Sequence, residues 1–205
     1  MRRLTAVPAS CPEVARRILG DRAPEGLMAM GNLDALSRKK LALFCSVRCP
    51  GLLIVKTYDL ARALRDNGVT VIGGFQSPME KECLELLLRG KQPVIVCPAR
   101  GLGHMRMPSV WREALAEDRL LVLSAFEENI RRPTAEMALT RNELVAAIAD
   151  EVLIAYAEPG GGTEALAQKA LGWGKAVHTL EATENAGLMA LGARVVTPKD
   201  LQGFL

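Results

Sequence analysis

No apolar run in this sequence approaches the roughly 20 residues that a membrane-spanning helix needs. The opening stretch, MRRLTAVPASCPEVARRILG, has neither a continuous apolar segment nor a small-residue cleavage site of the secretory kind. Both absences predict a cytoplasmic protein with no membrane partner. The five cysteines (Cys11, Cys45, Cys49, Cys83 and Cys97) are odd in number and include no C-x-x-C pair, so the chain carries the signature of neither a disulfide framework nor a zinc knuckle. Free thiols are the expectation, with Cys45, Cys83 and Cys97 in apolar stretches. The two histidines, His104 and His178, have no neighbours at ligand or triad spacing, and no metal site is predicted. Aromatic residues make up only 4% of the chain, which leaves the core to aliphatic side chains. Internal repeats and low-complexity tracts are missing as well.

Charge of one sign is also scarce: the net charge is +3. What excess there is lies at the front, where residues 1–40 hold eight Lys or Arg against four acids, while the remainder nearly cancels. With 205 residues and 49% hydrophobic content, the chain is long enough for one substantial core.

From Leu41 onward, short apolar runs alternate with helical patterns: LALFC (41–45), VTVIG (69–73), PVIVC (93–97), LLVLS (120–124), EVLIAY (151–156), AVHTL (176–180) and ARVVT (193–197). Each is near-continuously apolar, without the period-two alternation of a half-exposed strand, as expected for strands covered on both faces. Between them, apolar residues recur at helical spacing, for example Leu60, Ala61 and Leu64, or Leu166, Ala167 and Ala170. The pattern predicts an α/β fold, a doubly wound, mostly parallel sheet over residues 39–205 with helices on both faces. Residues 1–38 read as a short helical lead and linker. About seven strands are too few for a (β/α)₈ barrel.

In such a sheet ligands bind beyond the carboxyl ends of the strands, and four loops there carry polar or glycine-rich signals. After the first run come Ser46 and Arg48, a hydroxyl and a guanidinium suited to an anion. After the second come Gly73, Gly74 and Phe75, where backbone can approach a ligand and a ring can stack on a base. Ser77, Pro78 and Glu80 follow with the spacing of a capping box. Thr140 or Asn142 reads as the cap of the helix carrying Leu144, Val145 and Ile148, which sets Arg141 at that helix's positive end, where an anion relieves the conflict. The fourth loop is AEPGGGTEAL (157–166). Gly160, Gly161 and Gly162 free consecutive backbone N–H groups to face an anion, and a helix starting near Thr163 or Glu164 adds its partial positive charge. Thr163 reads as N-cap, phosphate hydroxyl or both, and Glu158 as an acceptor for a ribose hydroxyl. The spacing matches neither G-x-G-x-x-G nor G-x-x-x-x-G-K-[ST], and Lys169 lies too far along the helix to act as a P-loop lysine.

Taken in order, these loops resemble the Rossmann-like core of the DprA/Smf DNA-processing proteins, within the wider group that includes the LOG nucleotide hydrolases. Ser46-Val47-Arg48 is similar to the family's G-S-R turn, with Cys45 where glycine is usual. Gly73-Gly74-Phe75 corresponds to its S-G-x-A turn. Leu123-Ser124, Pro133 and the run Arg141-Asn142-Glu143 to Ala149 resemble its S-E, proline and R-N-R-I-I-A-G-L-S segments, with Glu143 in place of the second arginine. Glu158 to Ala170 resembles the last segment, and PGGGTE is also similar to the LOG P-G-G-x-G-T-x-x-E signature. The resemblance implies DNA processing or recombination mediation. It implies binding of single-stranded DNA or nucleotide phosphate by Ser46, Arg48, Gly73, Gly74, Phe75, Arg141, Asn142 and Gly160 to Thr163, with no cofactor, a homodimer and a recombinase as partner. The alternatives within the group are a LOG-like nucleoside monophosphate phosphoribohydrolase using Glu158 or Glu164 as its acid, and a non-catalytic nucleotide sensor.

Overall fold

A computed structural model describes residues 5–103 and 105–200; His104 lies outside the described residues. The strands are β1 (Val7–Ala9), β2 (Leu27–Gly31), β3 (Lys40–Cys45), β4 (Thr70–Gly73), β5 (Val94–Val96), β6 (Leu120–Ser124), β7 (Glu151–Tyr156), β8 (Val177–Thr179) and β9 (Arg194–Val195). The helices are α1 (Glu13–Leu19), α2 (Gly51–Asp66), α3 (Pro78–Leu87), α4 (Ser109–Ala116), α5 (Ala135–Ile148), α6 (Gly162–Gly172) and α7 (Ala186–Ala190). All seven apolar runs expected from Leu41 onward are the strands β3 to β9. They form one doubly wound sheet in the order β1-β2-β6-β5-β4-β3-β7-β8-β9, parallel from β6 to β9.

The lead is less helical than its sequence suggests. Besides α1 it contributes β1 and β2, antiparallel to each other, and β2 pairs antiparallel with β6. Residues 27–31 therefore belong to the same sheet as the residues after 39. LMAMG escapes a strand reading because methionine and alanine favour helices by intrinsic preference; pairing with β6 overrides that preference.

Alternate strand residues feed two apolar layers. Leu41, Leu43 and Cys45 pack with α2, α3 and α4 on one face. Ala42 and Phe44 pack with α1, α5, α6 and α7 on the other. All six residues of β3 are buried, which explains why every one after Lys40 is apolar, and Lys40 itself pairs with Asp150 at 3.1 Å. The five cysteines are free, and all but Cys49 are buried.

Helix α3 starts as the capping box predicts: the Ser77 hydroxyl accepts from Glu80 N at 3.3 Å, and the Glu80 carboxylate accepts from Ser77 N. Helix α5 starts earlier than expected. Its cap is Thr134, whose hydroxyl accepts from Met137 N at 3.1 Å, and neither Thr140 nor Asn142 caps it. Its first turns are mostly exposed, so the apolar periodicity that marks a helix in sequence begins only at Leu144.

From β3 the chain winds outward through β4 and β5 to β6. Helix α5 then carries it back across the sheet to β7, on the other side of β3. This reversal opens a crevice at the carboxyl ends of β3 and β7, the topological switch point at which open α/β sheets bind ligands. No helix among the described residues is long and apolar enough to cross a membrane.

Candidate functional site

The crevice begins at an irregularity. The β3–β7 register shifts between Phe44 and Cys45, a bulge of the kind that redirects side chains at strand ends. Just beyond it, Ser46 N donates to Tyr156 O at 2.9 Å and the Ser46 hydroxyl accepts from Glu158 N at 2.9 Å. The two exit loops are thereby tied together by a buried serine. Arg48, two residues further on, is exposed and forms no hydrogen bond or ion pair with the described residues.

The loop after β7 needs glycine at two of its three glycine positions, Gly160 and Gly161. Gly161 N donates to Glu158 O at 2.9 Å, closing a tight turn in which Pro159 precedes Gly160 with φ +70°, the proline-then-glycine order of a type II turn. Only Gly160 needs positive φ. A Cβ on Gly161, the N-cap of α6, would sit 2.9 Å from Glu158 O, and one on Gly162 would rest 3.4 Å from Leu139. Helix α6 thus starts at Gly162, one residue before Thr163, which lies inside the first turn and is not the cap. Glu164 reaches back so that its carboxylate accepts from Gly160 N at 2.8 Å. The N–H groups of Gly162, Thr163 and Glu164 receive no acceptor from the described residues, as befits the first turn of a helix.

The loops after β4 and β5 are organised differently. Arg141 is 3% exposed. Its guanidinium donates to Cys97 O at 2.7 Å and Gln76 Oε1 at 2.8 Å, and its Nε donates to Asn142 Oδ1 at 2.7 Å. It sits mid-helix, not at a helix N-terminus, and each of its three nitrogens donates to the protein, which corrects the expectation that it lies at the positive end of that helix. Gly74 is glycine to make room for it, since a Cβ would overlap the guanidinium. Gly73 packs against the Phe75 ring, where a Cβ would lie 3.0 Å from it. Phe75 has φ +49° and is buried in the core, so its ring offers no face to a base. Gly74→Ala is expected to displace Arg141 from its acceptors and lower stability by about 2 kcal/mol in a urea melt.

Sequence reasoning missed the wider role of Glu80. Beyond the capping box, its buried carboxylate accepts from Cys45 N at 2.9 Å and Gln76 N at 2.8 Å. Burial pushes its carboxyl above the ordinary carboxylate range, against the pull of the three N–H donors and the nearby Arg141 guanidinium. The capping-box spacing identified Glu80; its link to Cys45 at the end of β3 joins residues too far apart for any local pattern.

Asn142 and Glu143 border a cleft of about 200 Å³ between α5 and α6, with Gly162 and Lys169 on its far side. Glu143 pairs with both Arg22 of the lead and Lys169 of α6. Burial alone would raise its pKa, but these two cations outweigh burial and hold it below the usual glutamate value. The ion pairs therefore stabilise the fold above the unfolded-state pKa, near 4.3, and that contribution is lost as pH falls through the lower folded value. Glu143→Gln is expected to cost about 1 kcal/mol at pH 7 and progressively less as the pH falls below the ordinary glutamate range, read from paired denaturation curves.

Glu158 is exposed, and Glu164 is half-buried with one carboxylate oxygen on Gly160 N. His178 lies 2.6 Å from Glu151, at the opposite end of β7 from the crevice. No three His, Cys, Asp or Glu side chains among the described residues cluster to hold a metal.

A family model described as DNA recombination-mediator protein A matches residues 3–199. Among solved structures, DNA processing protein A from Streptococcus pneumoniae superposes with a TM-score of 0.80 at 20% identity, covering 97% of this chain and 74% of that one. DNA processing protein A from Helicobacter pylori, whose structure concerns its single-stranded DNA binding mode, gives 0.79 at 22% identity over 97% and 94%. A molybdenum cofactor binding protein from Rippkaea orientalis gives 0.56 at 13% identity over 80% and 92%. No curated protein matches the sequence.

Proposed function

Since the chain belongs to the DNA recombination-mediator protein A family, we propose that its β3–β7 crevice binds the phosphates of single-stranded DNA. The observation that carries this reading is Arg48: an exposed guanidinium without a partner among the described residues, leaving the strand end next to the one that leads into the glycine loop. Adjacent strands lie about 4.8 Å apart, so the two exit loops serve one ligand. Arg48 supplies a paired, charge-assisted contact, and the free N–H groups of Gly162 and Thr163 supply neutral donors reinforced by the positive end of α6. Ser46 holds the loops in register, Asn142 borders the neighbouring cleft, and Arg141 with Gly73, Gly74 and Phe75 builds the platform beneath. The Helicobacter pylori relative, described as binding single-stranded DNA, supports the choice of ligand. A homodimer, a recombinase partner and a cytoplasmic location belong to the same proposal.

The hydrolase alternative asks Glu158 or Glu164 to act as an acid near a sugar. Glu164 already accepts from Gly160 N, and Glu158 is open to solvent, so neither carboxyl is held in a closed site against a sugar. Titrating the purified chain with labelled oligo-dT and with AMP at two salt concentrations tests the proposal. The expected result is oligonucleotide affinity that falls steeply with salt, by about one unit of log–log slope for each phosphate contacted, with no free base released from AMP. Salt-independent binding, or adenine release, overturns it.

A further inference from the structure

Helix α2 follows directly from the crevice, and its exposed face changes character along its length. From the third turn on, that face carries Asp59, Arg62 and Asp66, with Arg62 paired to Asp59 at 3.3 Å. Toward the crevice it is aliphatic: Leu52 is 58% exposed and Val55 59%, and Val47 in the preceding loop is 71% exposed. Ile54 adds to the same end. The buried face, Leu53, Thr57, Leu60, Ala61 and Leu64, already anchors α2 to the sheet, so these outer residues are not needed to hold the helix down. Exposing several large aliphatic side chains together is unfavourable unless something covers them, and the exposed Arg48 lies between Val47 and Leu52 along the chain.

Resting on the DNA reading of the crevice, we infer that Val47, Leu52 and Val55 form a ledge on which the bases of the bound strand lie while its phosphates engage Arg48. An amphipathic polymer fits a surface of this composition: charged oxygens for the guanidinium and flat, weakly polar faces for the aliphatic groups. A second copy of the chain fits less well. Four such side chains offer at most a few hundred Å², against about 800 Å² per partner in a stable interface, and Arg48 would then be covered without an anion. The chain's few aromatics explain the choice of side chain; a base has an apolar face that packs on branched aliphatics as well as on rings, with smaller gain per contact.

The test compares an oligo-dT with an abasic strand of the same length, on the full chain and on its Leu52→Ser, Val55→Ser double variant. The ledge predicts that the wild-type chain prefers oligo-dT over the abasic strand by about tenfold. The double variant removes that preference, leaves abasic affinity and the salt slope unchanged, and melts at the wild-type temperature because both positions are exposed. Leu52→Phe should widen the preference. If the chain binds both strands equally, or the preference survives the double variant, the ledge is wrong while the DNA reading stands. Binding of neither strand defeats the reading and the ledge with it. A concentration-dependent dimer in sedimentation that the double variant splits assigns the patch to self-association and overturns the ledge.

Discussion

Glu80→Ala is expected to destabilise the chain by about 4 kcal/mol, the largest effect of any single replacement considered. The carboxylate serves three backbone donors at once, Cys45 N, Gln76 N and Ser77 N, and it is buried. Alanine leaves those donors without acceptors in a site closed to water, and each orphaned N–H costs about 1–3 kcal/mol; removal of a carboxyl whose burial is itself costly offsets part of the sum. Glu80→Gln is the informative control. Its amide retains one acceptor oxygen and turns an NH₂ toward donors that need an acceptor, so about half the loss is expected. Because burial raises the Glu80 pKa, the native state binds a proton more readily than the unfolded chain does, and this residue's contribution to stability falls as pH rises from its unfolded value through its folded one. That dependence runs opposite to that of Glu143, and it should vanish in Glu80→Gln. A denaturation midpoint for Glu80→Ala within 1 kcal/mol of wild type would contradict the whole network that joins the ends of β3 and β4.

Arg48→Ala should leave that stability untouched and remove most of the binding. The side chain is exposed and has no partner among the described residues, so the fold loses no contact. A charge-assisted pair to a phosphate contributes about 2 kcal/mol, or roughly thirtyfold in affinity. Removing one cation should also reduce the log–log salt slope by about one unit, a signature that a merely misfolded variant does not give. Arg48→Lys separates charge from geometry: the slope stays at the wild-type value, and affinity drops by a few fold as the bidentate fork is lost. Wild-type affinity and slope in Arg48→Ala would take the guanidinium out of the site. Unaltered affinity with a changed melting temperature would make it a structural residue instead.

Much of this architecture is written in short-range patterns. The central strands β3 to β7 are legible because strands covered on both faces are apolar at nearly every position, while the exposed β9 is legible only by its short apolar run. The capping box at Ser77 is legible because its partners are three residues apart. The loops of Ser46, Arg48 and the glycine turn are flagged by residue type, and the topology brings them to adjacent strand ends. What escapes notice depends on distant partners. Arg141 looks like a cation awaiting an anion until Cys97 O and Gln76 Oε1, 44 and 65 residues away, are seen to engage it. The Gly73–Gly74 pair looks like a cradle for a ligand, yet Gly74 makes room for that same arginine. Phe75 looks available for stacking, and its left-handed backbone turns the ring into the core instead. The start of α5 is hidden because its opening turns face solvent and carry no apolar stripe.

The sheet's outermost strands are three and two residues long, and the first contains Pro8, which has no N–H to offer. A neighbouring molecule that approaches either border finds too few open backbone groups to extend the ladder. Among the described residues, neither margin therefore offers a strand long enough to favour self-assembly by strand addition. On the proposed reading, a companion chain that docks on the loops crowning the strands competes with the bound strand for neighbouring ground.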